Sequence, residues 1–383
     1  MSDAIATKVK VDYMDLGGQW DAIKDEVQPK IDAFFKSGYY IGGGEVESFE
    51  KAFCEYAGVD YAIGCSNGTD GLKLALQCLD LKGSTHVIMP ANTYIADAYC
   101  VKYQKGDWSF ELIDHDQNFQ IDVELLRKYV AKIKGQYDNV VLLPVHLYGH
   151  VTDMPTVMDI AREYDCIVVE DASQAHGAMT SEGKMVGQYG DLCVYSCYPG
   201  KNLGAIGDAG IITTNNPDYH YRLQALRNLG SHKKYEHVVD GWNNRLDSIQ
   251  AIILEAKLKH LDTWNQRRRE IAAVYDRELQ DIRQVKAPEV ADYCKEHVYH
   301  IYCIQANNRE GLQSYLKEHG IHTMIHYPIP IRSSKCNEDI EFRNYCPNTH
   351  MNRHLILSLP MHQNMTPEQA VYVSSLVRKF YSK

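Results

Sequence analysis

Two stretches of the chain decide the fold: VVEDASQAHGA at residues 168–178 and SCYPGKNLGAIGDAGIITTNN at residues 196–216. In the first, Asp171 directly follows an apolar run, and in the second a glycine-rich turn carries Lys201. A lysine on such a turn, together with an acid at the end of a strand, suits an enzyme that binds pyridoxal phosphate (PLP). The lysine amine would form a Schiff base with the PLP aldehyde, and the acid would pair with the protonated ring nitrogen.

Apolar runs on either side of these stretches alternate with segments of helical length. The runs lie at 86–90, 109–116, 139–149, 166–172 and 191–198, and the helical segments at 94–104, 122–134 and 154–164. The runs are continuous, which is typical of strands that are buried on both faces. The pattern predicts an α/β fold with a large, mainly parallel sheet covered by helices on both faces.

The pattern changes near Asn244. Residues 245–279 read as one long helix, followed by a strand, a helix, a strand and a final helix at 298–306, 309–320, 322–330 and 367–382. This succession is typical of a small α+β domain. We therefore predict a large PLP-binding α/β domain with an amino-terminal segment over residues 1–255 and a small C-terminal α+β domain over residues 256–383.

Composition limits the partners of the chain. Its 383 residues carry a formal net charge of -10, which argues against a nucleic-acid partner and requires local cations for any phosphate-bearing substrate. The eleven cysteines form no CxxC pair, so we expect free thiols in a reducing compartment. The start MSDAIATKVKVDYMDL lacks a signal-peptide pattern, and no run approaches the ~20 apolar residues of a membrane helix. We expect a cytoplasmic protein without a membrane partner.

The segment NGTDG at 67–71 lies between a predicted strand and a predicted helix. Gly68 lets a ligand approach the backbone, and Thr69 is positioned to cap the helix, whose free amides would then bind a phosphate. A hydroxyl from Ser196, five residues before Lys201, would complete this cradle. A plain strand–helix turn has the same features, so the segment alone does not decide between the two interpretations.

Other candidate ligand-binding residues also follow predicted strands. Asp171 lies where open α/β sheets bind ligands, although a helix cap or a structural ion pair would also place an acid there. Gln174 and His176 are within reach of a ligand ring or its 3-oxygen, and a histidine there is equally suited to packing. Tyr94 would stack on the ring or pack in the core. An isolated lysine is usually a solvated charge, an interpretation that the glycines around Lys201 disfavour.

Three other kinds of site are not supported. Glycines 42–44 do not form a dinucleotide fingerprint, because no strand leads into them. His322 and His326 lie in a strand-like run without clustered cysteines or carboxylates, so they do not indicate a metal site. Ser196 does not lie in a nucleophile-elbow sequence, so a hydrolase is not indicated.

Nine segments, covering nearly the whole chain, closely resemble the sugar aminotransferases of the DegT/DnrJ/EryC1/StrS family, which are fold-type I PLP enzymes. They are SGYYIGG (37–43), SNGTDGL (66–72), PANTYIADA (90–98), PVHLYGH (144–150), VVEDASQAHGA (168–178), SCYPGKNLGAIGDAG (196–210), LRNLGSHKKY (226–235), GWNNRLDSIQAIIL (241–254) and IHYPIP (325–330). Each segment is modest alone, but their order and spacing are specific. The resemblance implies a homodimer with active sites at the subunit interface.

The resemblance also implies a role for each matching position. Lys201 would be the Schiff-base lysine, Asp171 the partner of the ring nitrogen and Gln174 the contact to the ring oxygen. Gly68, Thr69 and Ser196 would form the phosphate cradle. Tyr94 would be the aromatic residue that stacks on the ring, and Asn243 would reach the cofactor phosphate of the neighbouring subunit.

The implied reaction is transfer of an amino group from L-glutamate to the keto carbon of a nucleotide-linked keto-6-deoxy sugar, with Lys201 moving protons in both half-reactions. One branch of the family has histidine at the lysine position and dehydrates at C3, so Lys201 favours transamination. The segment IHYPIP resembles that of members that aminate C3. Amination at C4, another PLP reaction and a non-catalytic regulator are the alternatives.

The substrate diphosphate needs cations, because the chain as a whole is acidic. The candidates for the substrate site are Tyr39, Tyr40, Lys233, Lys234, Arg245, His326, Tyr327 and Arg332. The basic residues are equally suited to a solvated surface, and the tyrosine pair to a helix-end turn. Two positions depart from the family pattern, since Arg332 stands where histidine is frequent and Leu229 where tyrosine is common. Because of these departures, the sequence does not determine which sugar is the substrate.

Overall fold

The computed structural model describes residues 10–382. Residues 1–9, which belong to the stretch without a signal-peptide pattern, and Lys383 lie outside the described residues. Within residues 10–382 the chain forms twelve α-helices and fourteen β-strands. In that range no helix is both long and apolar enough to span a membrane.

The helices have the following bounds. They are α1 (Gly17–Ser37), α2 (Gly44–Ala57), α3 (Gly68–Cys78), α4 (Ile95–Lys102), α5 (Val123–Ile133), α6 (Met154–Tyr164), α7 (Pro217–Leu226), α8 (Ser248–Leu258), α9 (Leu261–Leu279), α10 (Arg309–Glu318), α11 (Pro347–Asn352) and α12 (Pro367–Tyr381). The strands are β1 (Tyr61–Cys65), β2 (Thr85–Pro90), β3 (Trp108–Ile113), β4 (Asn139–Leu142), β5 (Ile167–Asp171), β6 (Met179–Thr180), β7 (Leu192–Ser196), β8 (Gly210–Thr214), β9 (Ser231–Lys233), β10 (Glu236–His237), β11 (Val285–Lys286), β12 (Cys294–Glu296), β13 (Tyr302–Ala306) and β14 (Ile356–Leu359).

The central sheet has seven strands in the order β1-β8-β7-β5-β4-β2-β3. Strands β7, β5, β4, β2 and β3 pair in parallel, and β8 is antiparallel to both β7 and β1. It follows that β1 runs in the same direction as the parallel strands and that β8 alone runs against them. The prediction of a large, mainly parallel sheet is confirmed.

Helices cover both faces of this sheet, as the continuous apolar strands require. Successive residues of β2 point to opposite faces. Val87 and Met89 pack in a core shared with α3 and α4, whereas Ile88 packs in a second core with α5 and α6. With no solvent-facing side, the strands have no place for the polar alternation of a one-sided sheet.

The C-terminal part has its own three-stranded antiparallel sheet, β11-β13-β14, which packs with α9, α10 and α12. The prediction of one long helix over 245–279 is wrong. The chain turns between α8 and α9, where the amide of His260 bonds to the carbonyl of Lys257, three residues back, instead of continuing the helical pattern. The predicted domain boundary between residues 255 and 256 lies inside α8 and stays a prediction.

The prediction of a strand over 322–330 is also wrong. In this segment only Met324 pairs with a neighbour, through an isolated bridge to Ser358 of β14. Pro328 and Pro330 carry no amide hydrogen, so they cannot extend a ladder. The segment instead crosses the carboxyl edge of the large sheet as an irregular loop, and this brings Tyr327 to the ring of Tyr94.

Candidate active site

Strands that run in one direction bring their carboxyl ends to one edge of the sheet. Gly68 follows β1, Tyr94 follows β2, Asp171 ends β5 and Ser196 ends β7, while Lys201 lies on the turn between β7 and β8. The sheet therefore gathers residues that are more than a hundred positions apart in the sequence. This edge is the candidate active site.

Lys201 is a partly buried amine. The backbone of its turn is closed by a hydrogen bond of 2.8 Å from the Lys201 amide to the carbonyl of Tyr198. Burial lowers the pKa of the Lys201 amine to about 8, and the negative charge of Asp171 acts in the opposite direction. The side-chain amine has no hydrogen-bond acceptor among the described residues, so it is available as a nucleophile or a base.

Asp171 is held rigidly at the end of β5. Its backbone accepts from the amide of His146 and donates to the carbonyl of Pro144, both at 2.9 Å, and its Oδ1 accepts the amide of Ser173 at 2.8 Å. No helix begins here, so the acid is not a helix cap. Its side chain is 5% exposed. The preceding residue, Glu170, alternates to the other face, where it accepts amides of the 187–190 turn.

The turn before α3 has the form of an anion-binding cradle. The helix is capped by Asn67 and not by Thr69, because the extended backbone of Asn67 lets its Oδ1 accept the amide of Asp70 at 2.8 Å. The amides of Gly68 and Thr69 precede the first helical hydrogen bond and stay available for a ligand. A Cβ at Gly68 would lie 2.7 Å from the Cβ of Ser196, so only glycine fits beside that hydroxyl-bearing residue.

Gln174 and Tyr94 lie in the same region, in contact with the 322–330 loop. The Gln174 amide nitrogen donates to the Tyr327 hydroxyl at 3.0 Å, and its oxygen accepts the amide of Tyr148 at 2.6 Å. Tyr94 is 52% exposed, so it is not a core residue, and its ring centroid lies 5.3 Å from that of Tyr327. An open aromatic face of this kind suits stacking with a planar ligand.

His176 is buried behind Lys201. Burial lowers the pKa of His176 to about 3, so the ring is neutral, and neither of its nitrogens has a partner among the described residues. The ring packs 5.3 Å from the ring of Tyr195. The ring contact fits packing, but the two unpartnered nitrogens do not, so the structure does not decide between packing and contact with a ligand.

Two residues that sequence reasoning did not assign also contribute to this edge. Tyr148 has a positive φ of 62°, and its hydroxyl donates to the carbonyl of His326, so it ties the 322–330 loop to the sheet. Asp97 on α4 is completely buried next to Asp171. Both residues lie in segments that carry the family resemblance, PVHLYGH and PANTYIADA, and this was the signal that could have identified them. Neither residue type indicates burial by itself.

The proposed diphosphate cations are already engaged within the chain to different degrees. Lys233 forms an exposed ion pair of 2.6 Å with Glu236, and Arg245 donates to Asn228 at 2.9 Å. Lys234 lies exposed over the ring of Tyr235. Arg332 donates to the carbonyls of Asn344 and Phe342, and its guanidinium is therefore committed to its own loop.

The remaining candidates differ in exposure. Tyr39 and Tyr40 are 81% and 48% exposed, and Asn243 is exposed at the start of the segment that leads to α8. His326 is partly buried, with its Nδ1 2.8 Å from the hydroxyl of Ser358. Within residues 10–382 no group of three His, Cys, Asp or Glu could hold a metal ion.

The residues at the carboxyl edge fit PLP. An available amine, a buried acid, an anion-binding turn and an open aromatic ring match its aldehyde, ring nitrogen, phosphate and ring face. The sheet topology and this set of groups define the class: a fold-type I, PLP-dependent aminotransferase fold.

The chain belongs to the DegT/DnrJ/EryC1/StrS aminotransferase family, which residues 21–378 match. It is 40% identical over 359 residues to the dTDP-3-amino-3,6-dideoxy-alpha-D-galactopyranose transaminase of Aneurinibacillus thermoaerophilus (93% of this chain, 95% of that protein). It is 35% identical over 372 residues to the dTDP-3-amino-3,4,6-trideoxy-alpha-D-glucose transaminase of Streptomyces venezuelae (97% and 96%). The GDP-perosamine synthase of Escherichia coli O157:H7 is 30% identical over 359 residues (89% and 91%).

Solved structures agree. The chain superposes on S. venezuelae DesV in complex with a ketimine intermediate with a TM-score of 0.91 at 35% identity, covering 98% of this chain and 99% of that one. It superposes on NtdA from Bacillus subtilis with bound cofactor PMP with a TM-score of 0.84 at 27% identity, covering 95% and 82%. The protein is thus a PLP-dependent aminotransferase of a nucleotide-sugar transaminase family.

Proposed function

We propose that this enzyme transfers the amino group of L-glutamate to C3 of a nucleotide-linked 3-keto-6-deoxy sugar. The observation that carries the proposal is similarity over nearly the whole chain to two transaminases named after 3-amino sugars, at 40% and 35% identity. The loop that contains IHYPIP supports it, because Tyr327 of that loop meets Tyr94 and Gln174 at the cofactor edge.

In this proposal Lys201 moves the protons. Bound PLP supplies an electron sink for negative charge at the α-carbon of the donor. The Lys201 amine would remove the proton from that α-carbon and deliver it to the cofactor carbon that carries the transferred nitrogen. Its pKa of about 8 gives a useful fraction of free base near neutral pH. Asp171 accepts the hydrogen bond of the ring nitrogen, so that the positive charge stays on the ring.

The other cofactor residues hold and cover the ring. The amides of Gly68 and Thr69, with the Ser196 hydroxyl, bind the phosphate at the start of α3. Tyr94 covers one face of the ring, and Gln174 directs its amide nitrogen toward the ring oxygen. On the substrate side, we assign the diphosphate to Lys234 and to the donors of Arg245 that Asn228 does not occupy. Tyr39 and Tyr40 would contact the sugar or base.

Amination at C4 of a 4-keto-6-deoxy sugar is the second candidate. Two departures of this chain, Arg332 and Leu229, leave the identity of the sugar undecided, because both lie in segments expected near the substrate. The relatives also include an enzyme that is not named after a 3-amino sugar, the GDP-perosamine synthase.

A substrate panel tests the proposal. Uridine-, thymidine- and guanosine-linked 3-keto and 4-keto 6-deoxy sugars are incubated with the enzyme and L-glutamate, and the products are identified by mass and NMR. We expect a 3-amino sugar together with an equal amount of 2-oxoglutarate. Amination of only the 4-keto sugars would establish the second candidate. Glutamate alone should already release 2-oxoglutarate, which a dehydratase or a regulator would not do.

We also propose that the enzyme is a homodimer with shared active sites. Large apolar side chains are exposed on segments that flank the site: Phe35, Tyr39, Tyr40, Ile41, Tyr198, Ile206, Leu229, Tyr235, Val238 and Trp242. A second copy that covers them would remove this apolar surface from water. Asn243 lies among these segments, which supports its proposed contact with the neighbouring subunit's cofactor phosphate.

Mixed dimers test the shared site. Lys201→Ala and Asn243→Asp are each expected to be almost inactive, the second because it places a negative charge at the phosphate. Mixing the two after unfolding and refolding should restore about a quarter of wild-type activity, since half of the dimers are mixed and each has one intact site. Refolded mixtures that stay inactive, or a monomer by light scattering, would contradict the shared site.

We propose a cytoplasmic location from the state of the cysteines. All eleven are free thiols, and eight of them are buried. Unpaired thiols in this number are typical of proteins in a reducing compartment.

A further inference from the structure

Asp97 is a buried acid whose hydrogen bonds are incomplete. It lies in the first turn of α4, three residues after Tyr94, and its side chain is 0% exposed. Its Oδ2 accepts the hydroxyl of Thr93 at 2.6 Å, but its Oδ1 has no hydrogen-bond donor among the described residues. An ionised carboxylate in this position would lack the donors that normally stabilise a buried charge.

The carboxyl group of Asp171 is within hydrogen-bonding range of Asp97. Two carboxyl groups at this distance cannot both carry a charge, so they share one proton. Burial, followed by the negative charge of Asp171, raises the pKa of Asp97 well above its usual range. The Oδ1 atom of Asp171 already accepts the amide of Ser173, whereas the Oδ1 atom of Asp97 has no donor among the described residues. The proton therefore belongs on Asp97.

The other titratable groups that face Asp97 agree with this distribution of charge. Burial raises the pKa of the Cys100 thiol and the Tyr327 hydroxyl, so both are neutral. Lys201 is the nearby cation, and its charge acts on Asp97 only as a minor opposing influence. The acid pair then carries one negative charge, which would balance the positive charge of a protonated cofactor ring.

We propose that Asp97 is a positioning residue that stays a neutral carboxylic acid and donates its proton to Asp171. This inference rests on the proposed role of Asp171. The donated hydrogen bond, together with that of the Ser173 amide, would fix the Asp171 carboxylate and leave a lone pair free for the ring nitrogen. It would therefore keep the Asp171 carboxylate in position to accept the hydrogen bond of the protonated ring nitrogen.

Infrared difference spectroscopy tests the shared proton directly. The cofactor-free wild type is compared with Asp97→Asn, an isosteric and neutral replacement that keeps an N–H donor toward Asp171. We expect the carbonyl-stretch band of a protonated carboxyl group at neutral pH in the wild type, shifted by deuterium exchange and absent from the variant. A difference spectrum that contains only carboxylate bands would overturn the proposal.

Cofactor binding tests the positioning role. We expect Asp97→Asn to bind PLP within about threefold of the wild type, and Asp97→Leu, which has no donor, to bind about 10- to 100-fold more weakly, as for loss of a hydrogen bond to a charged group. The matched control is Cys100→Ala on the same helix, which leaves the acid pair intact and should bind normally.

A ring-nitrogen signal separates this role from a purely structural one. With ¹⁵N-labelled PLP, we expect the NMR shift of a protonated ring nitrogen in the wild type and Asp97→Asn, and movement toward neutral pyridine in Asp97→Leu. Equal shifts and equal affinities in all three proteins would overturn the proposal. None of these readouts uses glutamate or a sugar, so they are independent of the proposed reaction.

Discussion

The proposed cofactor edge of the large sheet and the loops of the proposed substrate side use their polar side chains in different ways. At the cofactor edge, Lys201 has a free amine and Asp171 is fixed by its own strand. On the substrate side, Arg332 and Lys233 are bonded within the chain, and Tyr39 is 81% exposed. The difference teaches that a single chain already orients the groups proposed to hold the cofactor, whereas the residues proposed for the substrate are bonded to other parts of the chain or exposed.

Among the substitutions that test this comparison, replacement of Lys201 should have the largest effect on turnover. We expect Lys201→Ala to lower turnover by at least about 10³-fold, because both the covalent attachment and the base are lost. Without cofactor, the variant should be at least as stable as the wild type, since the side chain makes no hydrogen bond in the described structure and the cost of burying its charge is removed. Steady-state kinetics and calorimetry check both expectations. A variant that keeps more than a tenth of the activity would break the account.

The neighbours Asp171 and Glu170 provide a matched pair with opposite expected effects. Asp171→Asn should reduce kcat by about 10²–10³-fold, as for loss of a preorganised charge, with little change in stability. Glu170→Gln should lower stability and leave kcat per folded enzyme nearly unchanged, because Glu170 accepts bonds from His146 and the amides of Gly187 and Gly190. Kinetics on folded protein and denaturant titration distinguish the two. A large kcat loss in Glu170→Gln would contradict the assignment of the two faces.

The lowered pKa of Lys201 predicts a pH-dependent stability of the cofactor-free enzyme. Between the folded value of about 8 and the ordinary value of 10.5, the unfolded chain binds a proton at Lys201 that the folded chain does not. Stability should therefore rise with pH in this window, by about 1–3 kcal/mol relative to Lys201→Met, and the penalty should be fully present below pH 8. Denaturant unfolding at pH 7 and pH 10 measures the difference. Lys201→Arg, which stays charged, is the control, and equal pH slopes for wild type and Lys201→Met would be contrary to the prediction.

The smallest expected effects are on the substrate side. Arg332→Ala should lower the free energy of unfolding by about 1–2 kcal/mol, because two loop carbonyls lose their donors, and should leave the sugar KM within about twofold. Lys234→Ala should raise the sugar KM about two- to fivefold, more at low salt, without loss of stability. Kinetics at two salt concentrations, combined with thermal denaturation, compare the pair. A raised sugar KM in Arg332→Ala, with an unchanged KM in Lys234→Ala, would instead assign the diphosphate to Arg332.

The sequence predicted the large sheet well, because its buried strands are continuous apolar runs and their carboxyl ends place the candidate residues together. Local turns were harder. Both Asn67 and Thr69 are suited to a cap, and only the extended backbone of Asn67 decides between them. The break at His260 carries neither glycine nor proline, so the helical pattern runs through it without a signal.

Long-range hydrogen bonds account for the rest of the differences. Arg332 is committed to carbonyls ten and twelve residues away, in a loop that no periodicity describes. Asp97 lies between alanines on a short helix, and an acid there is normally exposed. Its neighbour Asp171 comes from strand β5, far away in the sequence.

The assignment of Lys201 has a direct competitor in Lys257. This lysine is 4% exposed, and burial lowers its pKa to about 8 as well. Its amine donates to the side chain of Gln19 at 2.8 Å and to the carbonyl of Gly204 at 2.6 Å. The Lys257 amine is therefore engaged in hydrogen bonds, whereas the Lys201 amine has no acceptor among the described residues.

Borohydride reduction of the PLP-loaded enzyme, followed by chymotryptic peptide mapping, distinguishes the two lysines. We predict the mass of the reduced cofactor on the peptide that contains Lys201 and none on the peptide that contains Lys257. Label on Lys257, or unlabelled Lys201 in enzyme that has bound PLP, would contradict the account.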